Sequence, residues 1–352
     1  MPTIPLGLTF DDVLILPQES NIEAATADLT TQLTKRLKLP APILSAAMDT
    51  VTTVPLARAL AQEGGLGVLH RNCTVAEQVA MVKAVRKSNL MVGAAVGPFD
   101  HDRALALDQA GASVIVLDAA HIHKPQTVAS ARTLKRRLRA ELIVGNVATA
   151  TAARAYVSFV DAIKVGVGPG AICTTRIIAG VGVPQLTAIM DVTRVARTKN
   201  VPVIADGGMK YSGDVVKALA AGANAVMLGS MLAGTDEAPG ETVTINGQRY
   251  KRYRGMGSLG AMNVGQSSDR YAQAGHKKYV PEGVEGLTRT KGPLHDVVFQ
   301  ILGGLRSGMG YVGARTIPEL QRRAKFIQIT EAGRRESHPH SITIDTPAPN
   351  YS

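Results

Sequence analysis

Tryptophan is missing from these 352 residues, the aromatic residues together reach only 4%, and cysteine occurs twice. Each scarcity removes a class of function. A net charge of +11 attracts anions in general, but no basic run is interleaved with rings that could stack on bases, which argues against nucleic acid as the primary partner. The run KRRLR at 135–139 reads instead as the solvated face of a helix. Cys73 and Cys173 lie far apart and form no CxxC pair, which argues against a zinc site and a disulfide framework and points to a reducing, cytoplasmic setting. No 18 apolar residues follow one another, and the opening MPTIPLGLTFDDVLILP lacks a basic stretch before a long apolar one. Neither a membrane span nor an export signal is expected.

What is present is a large apolar fraction, 45%, against 19% charged residues, enough to bury a sizeable core. Eight short apolar runs recur, each ending in Gly, Asp, His, Asn or a small polar residue: 42–49, 66–70, 91–97, 113–121, 141–149, 162–168, 201–208 and 225–230. Segments with helical spacing lie between them, and several end in glycine, as in AQEGG, DQAGA and AAGAN. Eight nearly all-apolar strands alternating with helices predict a (β/α)8 barrel rather than an open doubly wound sheet. Barrel chemistry gathers at the C-terminal ends of the strands, which directs attention to Asp118, His121, Asn146, Cys173 and Asp206.

Residues 231–300 exceed what a minimal barrel needs and read as a long catalytic flap after strand 8, rich in Gly, Ser and charge. Helical spacing resumes at HDVVFQILGGLRSGMGYVG, and the polar stretch 330–352 reads as an arm directed toward a neighbouring subunit. The whole is expected to be one catalytic domain.

Three segments carry the chemistry. IADGG and LGS, at the ends of strands 7 and 8, bring glycine turns to the place where barrels grip phosphate, though a pair of tight turns is the plain alternative. KVGVGPGAICTTR, 164–176, surrounds Cys173 with glycines, hydroxyls and Arg176, and the neighbouring donors and positive charge favour a thiolate nucleophile over a buried packing residue. Cys73 has no such surroundings and is expected to be inert. SSDRYAQ, 267–273, offers Arg270 and Tyr271, but an arginine is ordinarily a poor base, so these residues by themselves suggest only an anion contact.

Together LTFDDVLILP, LSAAMDTVT, LIVGNVAT, KVGVGPGAICTTR, GVGVPQLTAI, IADGGMKYSGD, YRGMGSLGAM, SSDRY and VPEGVEG resemble the inosine-5'-monophosphate dehydrogenase family over nearly the whole chain. That family usually inserts a pair of CBS modules where this chain passes directly through 88–90. The resemblance implies NAD+-dependent oxidation of IMP to XMP through a cysteine thioimidate. Cys173 would be the nucleophile, and Arg270 with Tyr271 would activate water, with Thr175 as a second participant. Asp206 would hold the ribose, while Gly208, Gly229, Ser230 and Tyr253 would hold the phosphate. Met48, Met256, Gly257 and Glu282 would meet the purine, and Asp118 and Asn146 the nicotinamide. Carbonyls of Gly168, Gly170 and Cys173 would take a potassium ion, completed by Glu331, Ala332 and Gly333 of a neighbour in a homotetramer.

Two departures touch the ligands. Ala171 stands where the family usually has a serine that reaches the phosphate, a lost charge-assisted hydrogen bond that costs about 1.5–3 kcal/mol. Ile122 replaces a glycine near the expected cofactor site. The nearest rival is GMP reductase, which deaminates GMP with NADPH but lacks the RGMGS segment and the Arg-Tyr pair present here. A catalytically idle nucleotide-binding assembly protein is the rival from another class, and an intact Cys173 and Arg270 count against it.

Overall fold

The computed structural model describes residues 4–264, 268–271, 273, 278–346 and 348–351. Ser267 and Ala272 of the SSDRYAQ segment lie outside the described residues. All eight apolar runs form parallel strands of one closed barrel: β1 (Ile43–Ser45), β2 (Leu66–Leu69), β3 (Gly93–Val96), β4 (Val114–Asp118), β5 (Glu141–Val147), β6 (Ala162–Val165), β7 (Val203–Asp206) and β8 (Ala225–Leu228). Strand β8 pairs back onto β1, so no edge remains within the barrel.

Helices cover the outside, among them α1 (Val54–Gln62), α2 (Val75–Arg86), α3 (His101–Gln109), α4 (Pro125–Lys135), α5 (Ala150–Tyr156), α6 (Gln185–Ala196), α7 (Ser212–Ala220) and α8 (Leu294–Val312). Local signals in the sequence start and stop them. Thr74 and Glu77 form a reciprocal capping box at α2, and the expected glycine stops Gly64, Gly111 and Gly222 all carry positive φ.

The period-two alternation of each strand divides the core in two. Ile115, Leu117, Leu142, Val144, Ile163 and Val203 face outward to the helices, while Leu44, Leu66, Val116, Ile143, Ala162 and Ile204 fill the interior with Leu33 and Leu39 from an N-terminal hairpin. Two residues beyond Val116, Ala162 and Ile204, on the same inward face, stand Asp118, Lys164 and Asp206. Strand periodicity thus carries three charges onto the barrel axis above an apolar plug.

The segment expected as a plain flap has structure of its own. Thr242–Ile245, Gln248–Arg254 and Glu285–Arg289 form a three-stranded antiparallel sheet, followed within the insert by a short helix, Leu259–Asn263. Buried Lys251 donates to the carbonyls of Thr235, Asp236 and Ala238 and fixes the base of this sheet. The tail also differs from an arm that simply departs. Phe326–Gln328 pairs with Val13–Ile15, and near the end Tyr351 stacks on Tyr211, 5.7 Å between ring centroids, and bonds His338. Among the described residues no helix is long and apolar enough to cross a membrane.

Candidate active site

A cavity of about 1040 Å³, counting its part open to solvent, opens at the C-terminal ends of the strands. Cys173, Thr175, Arg270, Tyr271, Met48, Asp206, Gly208, Gly229, Ser230, Tyr253, Met256, Glu282, Asp118, Asn146, Gly168 and Gly170 all border it. Residues from six strand ends and the insert therefore converge on one space.

The cysteine loop leaves β6 and is held against the insert. Thr174 donates its N–H to the Glu282 carbonyl at 3.0 Å, and Val284 donates to Ile172 at 3.0 Å. These bonds seat Cys173 beside Gly283, half-buried and facing the cavity. Its thiol lies 3.2 Å from the Thr175 hydroxyl. Arg176 interacts with Cys173 through its charge, but its guanidinium donates to the Val183 carbonyl at 2.6 Å and so braces the loop. Cys73 contrasts with it: its Sγ lies against the His70 carbonyl, and burial pushes the thiol up from its ordinary value.

At the end of β7 the turn Asp206-Gly207-Gly208 runs through positive φ at both glycines, +89° and +86°. Such a turn turns its backbone toward an anion at no steric cost. Gly229 faces it from β8, close under the buried Tyr253 hydroxyl, whose proton is held by burial and by the charge of Asp206. Ala171 borders the same cavity and presents no donor.

The floor is a charge cluster that the motif-based reading left out. Lys164, only 1% exposed, bonds Asp206 and Asn146 and lies 3.1 Å from Asp118. Asn146 in turn donates to Asp206 at 3.0 Å and to the Gly166 carbonyl at 2.7 Å. One ammonium thus serves two carboxylates. Gly145 makes room for it, since a Cβ there would sit 2.6 Å from that of Lys164. The signal was present: Lys164 is the one charge in the run AIKVGVG. Gln185 was also missed; it donates to the carbonyls of Val165 and Asp206 at 2.9 and 3.0 Å and ties together the ends of β6 and β7.

Arg270 and Tyr271 reach the floor from the insert. Arg270 pairs with Asp118, and the Ala120 N–H donates to the Arg270 carbonyl at 3.2 Å. Burial lowers the proton affinity of Arg270, and the positive charge of Arg71 acts in the same direction. Arg71 itself reaches the Asp118 carbonyl at 3.5 Å. Burial raises the Tyr271 hydroxyl.

Some expected positions fall elsewhere. His121 is exposed and does not border the cavity; Ala120, just before it, still does. Gly257 lies behind the lining, against the ring of Tyr271. Ile122 is fully buried in the outer core, its carbonyl accepting from Tyr156 at 2.6 Å, so its side chain takes no room from the site. Glu331, Ala332 and Gly333 sit on an exposed helix away from the cavity, where Glu331 pairs with Arg334.

A barrel with glycine turns on its last two strands, a cysteine at its mouth and a buried arginine brought in by an insert is the architecture of a barrel enzyme with its site at the strand ends. Residues 7–340 match the model of the IMP dehydrogenase / GMP reductase domain, and the chain belongs to that family. It is 43% identical to an inosine-5'-monophosphate dehydrogenase of Aquifex aeolicus, over 98% of this chain and 97% of that protein. Identity to the enzymes of that name is 41% in Methanocaldococcus jannaschii, over 97% of each chain, and 43% in Cryptosporidium parvum, over 98% of each. The Aquifex alignment spans 477 positions against 352 residues here, so that relative carries residues this chain lacks.

Proposed function

We propose that the protein oxidises IMP to XMP with NAD+, consuming water and releasing NADH and a proton. The observation that carries this reading is the convergence of Cys173 and the Arg270–Tyr271 pair on one cavity. The Cys173 thiolate adds to C2 of the purine, and the new tetrahedral carbon gives up its hydrogen with the bonding electron pair. NAD+, when bound, supplies the acceptor for that hydride. The carbon–sulfur bond persists as a thioimidate. Water then adds to C2 as Arg270, having first released its own proton, which burial makes easier than for a solvated arginine, takes up the proton of the water with Tyr271 beside it; the carbon–sulfur bond breaks and Cys173 leaves as the thiolate.

Asp206 suits ribose hydroxyls, the Gly208 and Gly229 turns with Ser230 and Tyr253 suit the phosphate, and Met48, Met256 and Glu282 suit the base. Asp118 and Asn146 would meet the nicotinamide end, and Asp118 is also the partner of Arg270. That shared carboxylate supports a flap that enters the space the cofactor vacates, so that hydride transfer and hydrolysis alternate. For potassium, the carbonyls of Gly168, Gly170 and Cys173 are hard oxygen donors of the right kind. The Gly170 carbonyl already accepts from Cys173 N–H at 3.1 Å, leaving its second lone pair. Because Glu331 to Gly333 of the same chain lie away from this loop, a shell that includes them draws on a second subunit, in keeping with a homotetramer.

Purified protein given IMP, NAD+ and potassium should produce NADH. Cys173→Ala should abolish both half-reactions, whereas Arg270→Ala should leave a first-turnover burst of NADH and stall hydrolysis. Turnover of GMP with NADPH and none of IMP would assign the chain to the reductase branch. Equal slowing of both phases by Arg270→Ala would remove its role as base.

A further inference from the structure

Met48 and Met256, two of the methionines that border the cavity, belong to segments far apart in the chain. Met48 follows β1, and Met256 lies in the insert just beyond the strand Gln248–Arg254. The residue after Met48 is Asp49, and two residues before Met256 is Arg254. These two side chains meet: Arg254 Nη2 donates to Asp49 Oδ2 at 2.6 Å and Nε to Oδ1 at 3.2 Å, a two-point pair with only 9% of the Asp49 side chain exposed.

The pair is braced on each side. Asn72, just after β2, donates to Asp49 at 2.7 Å and contacts the Ala261 carbonyl of the insert at 3.3 Å. The Arg254 N–H donates to the Thr50 hydroxyl at 3.2 Å. Beyond it, Gly255 N–H donates to Val284 at 3.0 Å, which turns Met256 inward. A planar guanidinium held at two points fixes orientation as well as distance, which an ammonium cannot do. Lys251, a buried cation of the same strand, bonds carbonyls at the base of the insert and does not border the cavity.

We propose that Asp49 and Arg254 are positioning residues that set the spacing between the Met48 and Met256 segments, and hence the width of the slot for the purine. This rests on the reading of the cavity as an IMP site. Neither side chain touches the base; the pair acts through the residues next to it.

The test is the Kd for IMP, measured by titration of the full chain, with thermal melting alongside. Asp49→Asn, which keeps size and removes charge, and Arg254→Met should each raise the Kd about tenfold. The double variant should be no weaker than the poorer single one, because the two share one interaction. Arg254→Lys should recover only part of the loss. Lys251→Met should lower the melting temperature without moving the Kd. Binding unchanged in Asp49→Asn, losses that multiply in the double variant, or a Kd shift in Lys251→Met equal to that of Arg254→Met would overturn the proposal. Absence of IMP binding by the unmodified protein would instead remove the base-site reading beneath it.

Discussion

Replacing Lys164 by methionine would keep the length of the side chain and remove the ammonium that Asp118 and Asp206 share. Breaking a buried ion pair from one side costs about 3–5 kcal/mol, because a charge is left without compensation. The two carboxylates do not suffer equally. Asp118 retains Arg270, whereas Asp206 retains, among the side chains of the described residues, only the Asn146 amide at 3.0 Å. Asp206 is 17% exposed and recovers some hydration, which places the cost near the lower bound, about 3 kcal/mol. For a chain of this size that corresponds to a melting temperature lower by roughly 4 °C. The assay is thermal unfolding followed by circular dichroism, repeated with a second substitution. Asp206→Asn in the Lys164→Met background should restore more stability than Asp118→Asn does. Adding Arg270→Ala should destabilise by more than the sum of the separate effects, since Asp118 then loses both cations. An unchanged melting temperature in Lys164→Met, or the reverse order of rescue, would refute the reasoning.

Gly257→Ala should slow steady-state turnover by at least about tenfold and the first-turnover burst of NADH much less, because the added Cβ would fall 2.6 Å from the Tyr271 ring and keep the Arg270–Tyr271 pair from seating; rapid-mixing kinetics checks this. A pH effect on stability follows from buried His70, whose proton affinity is lowered chiefly by desolvation. As pH falls, the unfolded chain takes up this proton first, so His70 contributes its full stability above its ordinary value of about 6.5 and loses it below, by at most about 1.4 kcal/mol per pH unit. Denaturant unfolding of His70→Gln should therefore show a shallower decline between about pH 7 and pH 5 than the unmodified protein.

The barrel was legible because its signal is local and repeated. Eight apolar runs, separated by helical spacing and glycine stops, leave few arrangements that bury every strand on both faces. The cysteine loop and the glycine turn after strand β7 were legible as local structure for a related reason: glycine at a positive φ and a lone cysteine among hydroxyls are read from adjacent residues. Arg270 shows the limit. A solvated arginine is no base, and only the tertiary structure buries Arg270 and brings Arg71 near it, which lowers its proton affinity, while the Asp118 carboxylate it pairs with acts the other way.

The same limit explains the misplaced residues. His121 stands at the end of an apolar run like its neighbours, yet the cavity lining stops at Ala120, and Ile122, noted as replacing a glycine near the expected cofactor site, packs in the outer core. The insert reads as loop in sequence because its strands are polar and mostly exposed, with Gln248–Arg254 strongly charged, and they are held by pairing with one another and by Lys251. Composition and periodicity by themselves determined which segments become strands and helices, and which chemistry the glycine and cysteine motifs can perform. Which charges share a partner was decided only in three dimensions. Lys164, Asp118 and Asp206 are separated along the chain, and it is barrel closure that brings their inward positions to one level, where exclusion of water makes them depend on each other.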